Sequence, residues 1–272
     1  MADLSQQAYC SFSELVNQRL GINLGANKQY LVKSRLSKLM REHNYNSLNT
    51  LISDITQGIS RDLQEAALFA MTTNETYWFR DEYPFDILSQ VILPALTNTN
   101  KNLRIWSAAC STGQEPYSIA MTIFEYQRQN KHQFTNIEIL ATDISLPVLN
   151  IASEGIFDSL AMSRGLSQQR LTEHFTSKAT SWHVNEDVKR LVTFKQLNLL
   201  DAFDAMGTFD VIFCRNVLIY FDNDTIARIL QKFSALLPQE RYLFLGAAES
   251  ASVSAHLFQM VKQQRGLFYK RL

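Results

Sequence analysis

The sequence predicts a doubly wound α/β domain accompanied by a smaller all-helical domain. Two observations carry the expectation. From Leu103 onward, short apolar runs alternate with segments of helical periodicity, the signature of repeated strand–helix units around a mostly parallel sheet. Before about residue 75 the chain shows helical signals and no convincing strand. With 272 residues and 46% apolar side chains, there is length and core material for both domains.

The helical part comes first. Ser11–Leu20 spaces Phe12, Leu15 and Val16 among polar residues, as a helix with one apolar face does. Asn27 is placed to cap a second helix, KQYLVKSRLSKLMREH, with an apolar stripe of Val32, Leu36, Leu39 and Met40. Leu48–Ile55 and Arg61–Met71 read as two further amphipathic helices, so residues 1–75 are expected to form the helical domain. A linker, 76–98, follows, and the aromatic-rich segment NETYWFRD (74–81) leads into it. The α/β domain is expected over 99–272. Its strands are read in LRIWSAA (103–109), IEILATD (137–143), LVTFKQLNL (191–199), FDVIFCRNVLIYF (209–221), YLFLGAAES (242–250) and GLFYKRL (266–272). Helices are read in EPYSIAMTIFEYQRQ, PVLNIASEG and TIARILQKFSALL. Phe175–Arg190 interrupts the alternation and reads as an inserted excursion.

Composition narrows the function classes. Lys+Arg and Asp+Glu are equal at 26 each, against the basic excess of a general polyanion binder, so no nucleic-acid partner is expected. Three cysteines (Cys10, Cys110, Cys214) without CxxC spacing and five unclustered histidines (His43, His132, His174, His183, His256) speak against a disulfide framework and a metal site. The start MADLSQQAYCSF has no basic-then-apolar pattern, and no apolar run approaches the roughly 18 residues of a membrane span. A cytoplasmic chain without membrane insertion is expected. Nothing marks an oligomer, and a monomer is expected.

In open α/β sheets ligands bind beyond the carboxyl ends of the strands, so the residues just after strands are the informative ones. The first strand runs into Ala-Ala-Cys-Ser-Thr-Gly113, and Gln114, Glu115 and Pro116 open a helix. Gly113 permits a tight turn and close approach of a ligand to the backbone, and Pro116 suits a first helical turn. GxGxxG is missing, so the pyrophosphate cradle of a dinucleotide site is missing, and an NAD-dependent dehydrogenase is disfavoured. One glycine followed by acidic Glu115 suits a cationic ligand better. S-adenosylmethionine is such a ligand, with a sulfonium, an ammonium and no phosphate; a surface glutamate in an ordinary strand–turn–helix gives the same pattern. Asp143 ends the second strand, placed to accept from ribose hydroxyls or, with Ser145, to cap the next helix. Asn198 follows the third strand and is placed to read an adenine edge. Arg215 and Asn216 break the apolar run at the tip of the fourth, as part of a site or as a charge paired with a carboxylate.

NETYWFRD (74–81), SAACSTGQEPYSIA (107–120), ATDIS (141–145) and FDVIFCRNVLIYFD (209–222), in this order, resemble the chemotaxis receptor glutamate methyltransferases of bacteria, the CheR family. The resemblance covers nearly the whole chain. It implies a class I S-adenosylmethionine-dependent methyltransferase fold, Rossmann-like, with a mostly parallel sheet ending in an antiparallel strand, which suits the closing GLFYKRL. It also implies the N-terminal helical domain and a small inserted β-subdomain at about 175–194. It places Asn74, Thr76 and Arg80 at the methionine end and methyl group of the cofactor. Glu115, Asp143, Asn198, Leu199, Arg215 and Asn216 would surround the cofactor, and Tyr220 would sit near the transferred methyl. Ala109 and Gln114 depart from the family, which often has glycine and glutamate there; Glu115, the matching acid, is present.

The implied reaction is S-adenosylmethionine-dependent methylation of glutamate side chains on chemoreceptor cytoplasmic helices, with S-adenosylhomocysteine as product. A glutamate with a reference pKa of about 4.3 is already ionised near neutral pH, so no general base is needed. Alignment of donor and acceptor is then the main task. Arg80 is the candidate for holding the acceptor carboxylate, or else for clamping the cofactor. Arg35, Lys38 and Arg41 recur at i, i+3 and i+6 on one helix flank, which reads as a solvated face on its own and, given the resemblance, as a dock for an acidic receptor helix. The inserted excursion is short and lacks the glycine-rich loop of members that bind a receptor C-terminal pentapeptide, so dependence on that peptide is not expected. Two other readings stand beside this one. A class I methyltransferase acting on a small molecule or nucleic acid would usually show Asn/Asp-Pro-Pro-aromatic where Arg215-Asn216-Val217-Leu218 stands. The other is a non-catalytic, cofactor-binding receptor adaptor, against which Asn74, Arg80, Glu115, Asp143 and Asn216 together argue.

Overall fold

The computed structural model describes residues 4–97, 102–130, 133–264 and 266–272. His132 and the expected linker boundary at 98–99 lie outside them. The chain divides into two compact units: Met1–Thr73 with Tyr220–Thr225, and Asn74–Ile219 with Ile226–Leu272.

The first unit is built of α1 (Gln6–Leu20), α2 (Gln29–Glu42), α3 (Leu48–Gln57) and α4 (Arg61–Met71). Serines start three of these helices: Ser5, Ser47 and Ser60 each accept a bond from the backbone N–H three residues on. Gly21 and Gly58 end α1 and α3 in the left-handed conformation. The expected cap Asn27 is not used. Helix α2 begins one residue later, after Lys28, with no side-chain cap. Phe12 and Val16 of α1, Val32 and Leu36 of α2, Leu51 and Ile55 of α3, and Ala67 of α4 are fully buried, so the 3.6-residue period read in the sequence is the period of the packing.

The second unit opens with α5 (Tyr83–Ile87), a π-helical turn (Leu88–Ile92) and α6 (Leu93–Thr97). Then come β1 (Asn102–Ala108), α7 (Gln114–Gln129), β2 (Asn136–Asp143), α8 (Leu146–Glu154), β3 (Ile156–Asp158), α9 (Ser159–Met162), α10 (Gln168–His174), β4 (Phe175–Lys178), β5 (Ser181–Val184), α11 (Glu186–Lys189), β6 (Val192–Gln196) and β7 (Val211–Cys214). Helix α12 (Asn223–Leu236), β8 (Tyr242–Leu245), β9 (Phe258–Gln263) and β10 (Gly266–Arg271) complete it. The main sheet has the order β6-β2-β1-β7-β8-β10-β9. The first five are parallel; β10 runs antiparallel to both β8 and β9.

This is the class I methyltransferase arrangement, with two differences from the sequence reading. Strand β9 was not read at all, and it, not the chain-terminal strand, forms the edge. The small sheet, of order β3-β5-β4, also recruits Ile156–Asp158, well before the expected start of the insertion.

Central strands are buried on both faces, which is why they read as near-continuous apolar runs. On one face Trp106 meets Phe203, Phe209 and Phe233 at centroid distances of 5.1, 5.6 and 5.2 Å. Phe233 belongs to the α12 stripe of Ile229, Leu230, Phe233 and Leu236. Elsewhere in the core Phe213 and Phe244, partners in β7–β8 register, stack at 4.5 Å, with Phe85 and Phe268 packed beside them.

Candidate functional site

The strand order reverses between β1 and β7, and the loops leaving their carboxyl ends carry the predicted residues. After β1, the chain turns through three left-handed residues, Ala109 (φ 62°), Ser111 (φ 52°) and Gly113 (φ 95°). That compact turn aims the Ser111 N–H at Asp143 Oδ2 (2.9 Å), while Ser111 Oγ donates to the Asn74 carbonyl (2.8 Å). Asp143 Oδ1 accepts from Ser145 N–H (2.9 Å), and Ser145 stands at the N-terminus of α8 without a side-chain capping bond. Burial pushes the Asp143 carboxyl up, opposed by the bonds from the Ser145, Ser111 and Ile144 N–H groups. Gly113 supplies the expected tight turn and also packs against α8. A Cβ there would stand 2.9 Å from the Ala152 Cβ of that helix.

Arg215 organises the second cluster. Its side chain, 1% exposed, donates from Nη1 to Glu115 Oε2 (3.0 Å) and from Nη2 to Asp81 Oδ2 (2.7 Å) and the Arg80 carbonyl (2.8 Å). It is therefore a paired charge, and it ties the tip of β7 to the start of α7 and to NETYWFRD. Glu115 Oε1 also accepts from Ser107 Oγ (2.8 Å). Burial raises the Glu115 carboxyl, against the pull of Arg215, the Ser107 and Arg215 bonds, and Arg80. Arg215 Nε is buried without a partner, one donor short of satisfaction.

NETYWFRD is held from behind by the small sheet and its helices. Trp78 is buried edge-on between Phe157 of β3 (4.9 Å) and Phe175 of β4 (5.1 Å), and donates to the Ala161 carbonyl (3.1 Å). Arg164 lies 3.7 Å over the Tyr77 ring, and Arg170 lies 3.7 Å over Phe79 while forking onto Glu125 at 2.8 and 2.9 Å. Phe79 is itself left-handed (φ 48°), a strained state for an aromatic residue that this packing and a bond from its N–H to Ser118 Oγ (3.1 Å) enforce. Arg80 is half-buried beyond that strained residue, with Nη1 on the Glu75 carbonyl (3.1 Å).

Two bonded sets, Asn74–Ser111–Asp143 and Arg80–Arg215–Glu115, thus meet on the 74–81 segment. Asn198 follows β6 and accepts at Oδ1 from Leu200 N–H (3.0 Å), beside buried Leu199. Thr76 is half-buried within the motif, and Asn216 follows Arg215 with φ 60°. Tyr220 closes the short turn Leu218–Tyr220 and groups with the helical unit. There, Arg35 is committed: its guanidinium binds the carbonyls of Ala70, Met71 and Thr72 (3.3, 2.6 and 2.6 Å) and Thr73 Oγ1 (2.8 Å). Lys38 and Arg41 are exposed, Lys38 pairing loosely with Glu42 at 3.6 Å.

Three residues were missed. Ser111 bridges Asn74 to Asp143. Lys232 caps the carbonyls of Leu199 (3.4 Å), Leu200 (2.8 Å) and Asp201 (2.8 Å). Glu249 binds the backbone after Arg215. All three act on main-chain atoms distant in sequence, so no local pattern announces them.

Both parts of the chain match known families. Residues 74–267 match the CheR methyltransferase SAM binding domain, and residues 7–72 match the CheR methyltransferase all-alpha domain. The chain belongs to the CheR methyltransferase family. Similar CheR proteins include chemotaxis protein methyltransferase 1 of Vibrio cholerae, 45% identical over 98% of both chains. Its namesake in Pseudomonas aeruginosa is 46% identical over 95% of this chain and 96% of the relative. A second Vibrio cholerae protein, chemotaxis protein methyltransferase 2, is 31% identical over 96% and 91%.

This CheR chain is accordingly an S-adenosylmethionine-dependent methyltransferase, and its donor set fits that cofactor. Asp81, Glu115, Asp143 and Glu249 outnumber Arg80 and Arg215 there, an acidic excess that suits a cationic sulfonium. No helix among the described residues is long and apolar enough to cross a membrane.

Proposed function

We propose that this chain methylates glutamate side chains on the cytoplasmic helices of chemoreceptors, giving methyl esters for sensory adaptation. The observation that carries the reading is full-length identity of 45% with a chemotaxis protein methyltransferase. Asp143, Asn198 and Leu199 hold the nucleoside, and Asn74, Thr76, Glu115, Arg215 and Asn216 hold the methionine end. The bound cofactor supplies an electrophilic methyl group on sulfur.

The remaining work falls to the protein. The acceptor glutamate arrives ionised, with a reference pKa of about 4.3, so the site has no proton to remove. That suits a neighbourhood in which, among the described residues, no histidine takes part in the bonds given above. Arg80 holds the acceptor carboxylate by a charge-assisted bond, and Tyr220 lies beside the transferred methyl. Holding the two reactants in line and excluding water is the source of the rate. On α2, Lys38 and Arg41 meet the acidic receptor helix, with Arg35 firming the base of that surface through the α4 carbonyls. The protein works in the cytoplasm as a monomer, binds no nucleic acid and does not depend on a receptor C-terminal pentapeptide.

The test is incubation with labelled S-adenosylmethionine and receptor cytoplasmic fragments. Label that base releases as methanol from glutamate is the expected product. Base-stable label, or none, would sink the reading.

A further inference from the structure

The Arg215–Asn216 loop is shaped by one side chain from the next strand's loop. Glu249, 9% exposed, follows β8. Its Oε2 accepts the N–H groups of Gly246 (2.6 Å) and Asn216 (2.8 Å). Its Oε1 accepts those of Val217 (2.8 Å) and Ile219 (3.3 Å). A buried carboxylate is costly unless its charge is met, and here four main-chain donors meet it, with no lysine or arginine contacting it among the described residues.

The arrangement also explains two backbone features. Asn216 is left-handed, and its N–H points away from any strand partner, toward Glu249. Gly246 has no room for a side chain: a Cβ would stand 2.7 Å from Glu249 Oε2 and 2.9 Å from both Asn216 nitrogens.

We propose that Glu249 is a positioning residue for methyl-donor binding. Its carboxylate fixes the backbone of residues 216–219 so that Asn216 is presented to the donor, and Gly246 provides the clearance. The proposal rests on the reading of Asn216 as a cofactor contact.

The experiment compares the full chain with E249Q, E249D, G246A and N216A, using calorimetric titration with S-adenosylhomocysteine and initial rates against both substrates. In E249Q an amide N–H₂ faces backbone donors, so affinity and the KM for the methyl donor should worsen by roughly tenfold or more. The KM for the protein acceptor should not move, and E249D should recover part of the loss. G246A, which presses on the same carboxylate, should reproduce the donor-selective defect. In the unmodified protein, the Asn216 and Val217 amides should be protected from hydrogen exchange.

If N216A weakens donor binding while E249Q, melting at a lower temperature, binds as the parent does, Glu249 is only structural and the proposal falls alone. If N216A itself binds normally, the reading of Asn216 falls and takes the proposal with it. Fast exchange at Asn216 and Val217 overturns it without any variant.

Discussion

Ala109 stands in the left-handed region at the end of β1, where the family often has glycine. The conformation costs an L-residue about 1–2 kcal/mol, while glycine would forfeit about 0.5–1 kcal/mol of chain entropy. The two nearly cancel, which is why alanine is tolerated. Ala109→Gly should therefore shift thermal stability by less than about 1 kcal/mol, whereas β-branched Ala109→Val should lose about 1–3 kcal/mol in a thermal melt. Arg80 sits next to the strained Phe79, with Nη1 on the Glu75 carbonyl, its guanidinium 5.6 Å over the Tyr77 ring and no salt-bridging carboxylate among the described residues, so its charge is available to a reactant. Arg80→Ala is expected to reduce methyl transfer roughly tenfold more than it weakens S-adenosylhomocysteine binding, a difference above about 1.4 kcal/mol. Equal losses in rate assays and titration would assign Arg80 to cofactor clamping. The raised carboxyls of Glu115 and Asp143 give a pH test with two signs. As pH falls they protonate earlier than free carboxylates, so affinity for the cationic donor should decline already above the ordinary carboxylate range near about 4. Because the fold binds those protons more tightly than the unfolded chain, the contribution of the same two groups to stability should rise over that interval. Glu125 behaves oppositely. Burial alone would raise it, but the bonded Arg170 guanidinium and the His174 ring 3.7 Å away bring it down to about 2, so its stabilisation is present above the unfolded value and is lost as pH falls through about 2. Donor affinity that stays flat on acidification, measured by calorimetry, would separate these carboxylates from the donor.

Among the elements, α2 combines two duties. Arg35 satisfies the carbonyls that end α4, groups that a helix terminus otherwise leaves unbonded. Arg35→Ala should cost about 1–3 kcal/mol in denaturant unfolding. Lys38→Ala and Arg41→Ala should leave stability unchanged but raise the KM for receptor fragments, an effect that shrinks with added salt. Sequence reading recovered elements in proportion to how much of them is buried in a regular way. Strands β1, β2 and β7 were legible because both faces are covered and their apolar runs stop where the site begins. Strand β9 was not: in Phe258–Gln263 only Phe258 is buried, and Val261 is half-covered, so an edge strand carries no alternation. Asn27 has the right chemistry for a cap, yet Lys28 holds that position, and caps shift by a residue without changing the apolar stripe. At the site, Asp143 and Arg215 were legible as polar residues ending apolar runs, and Glu115 as an acid opening the helix after the first strand's loop. The commitment of Arg35 was not legible, because the carbonyls it binds become neighbours only when α2 and α4 pack.

For the molecule as a whole, the sheet order places β10, the last strand in sequence, between β8 and β9. Phe268 and Tyr269 of β10 are buried, and its pairing covers the open side of β8 through Tyr269–Leu243 and Lys270–Tyr242. A chain ending at Gln264 would leave the edge of β8 unpaired and strip β9 of its partner β10. Such a truncation is expected to lose cooperative melting and to aggregate, whereas substitution of half-exposed Arg271 by Lys should not. The same order bears on how the protein is made. A ribosome delivers β1, β2, β6, β7 and β8 in turn, yet the sheet keeps an apolar, unpaired border until Arg271 has emerged. The α/β unit therefore closes only when β10 pairs, and a nascent chain paused before residue 266 still exposes the apolar edge of β8.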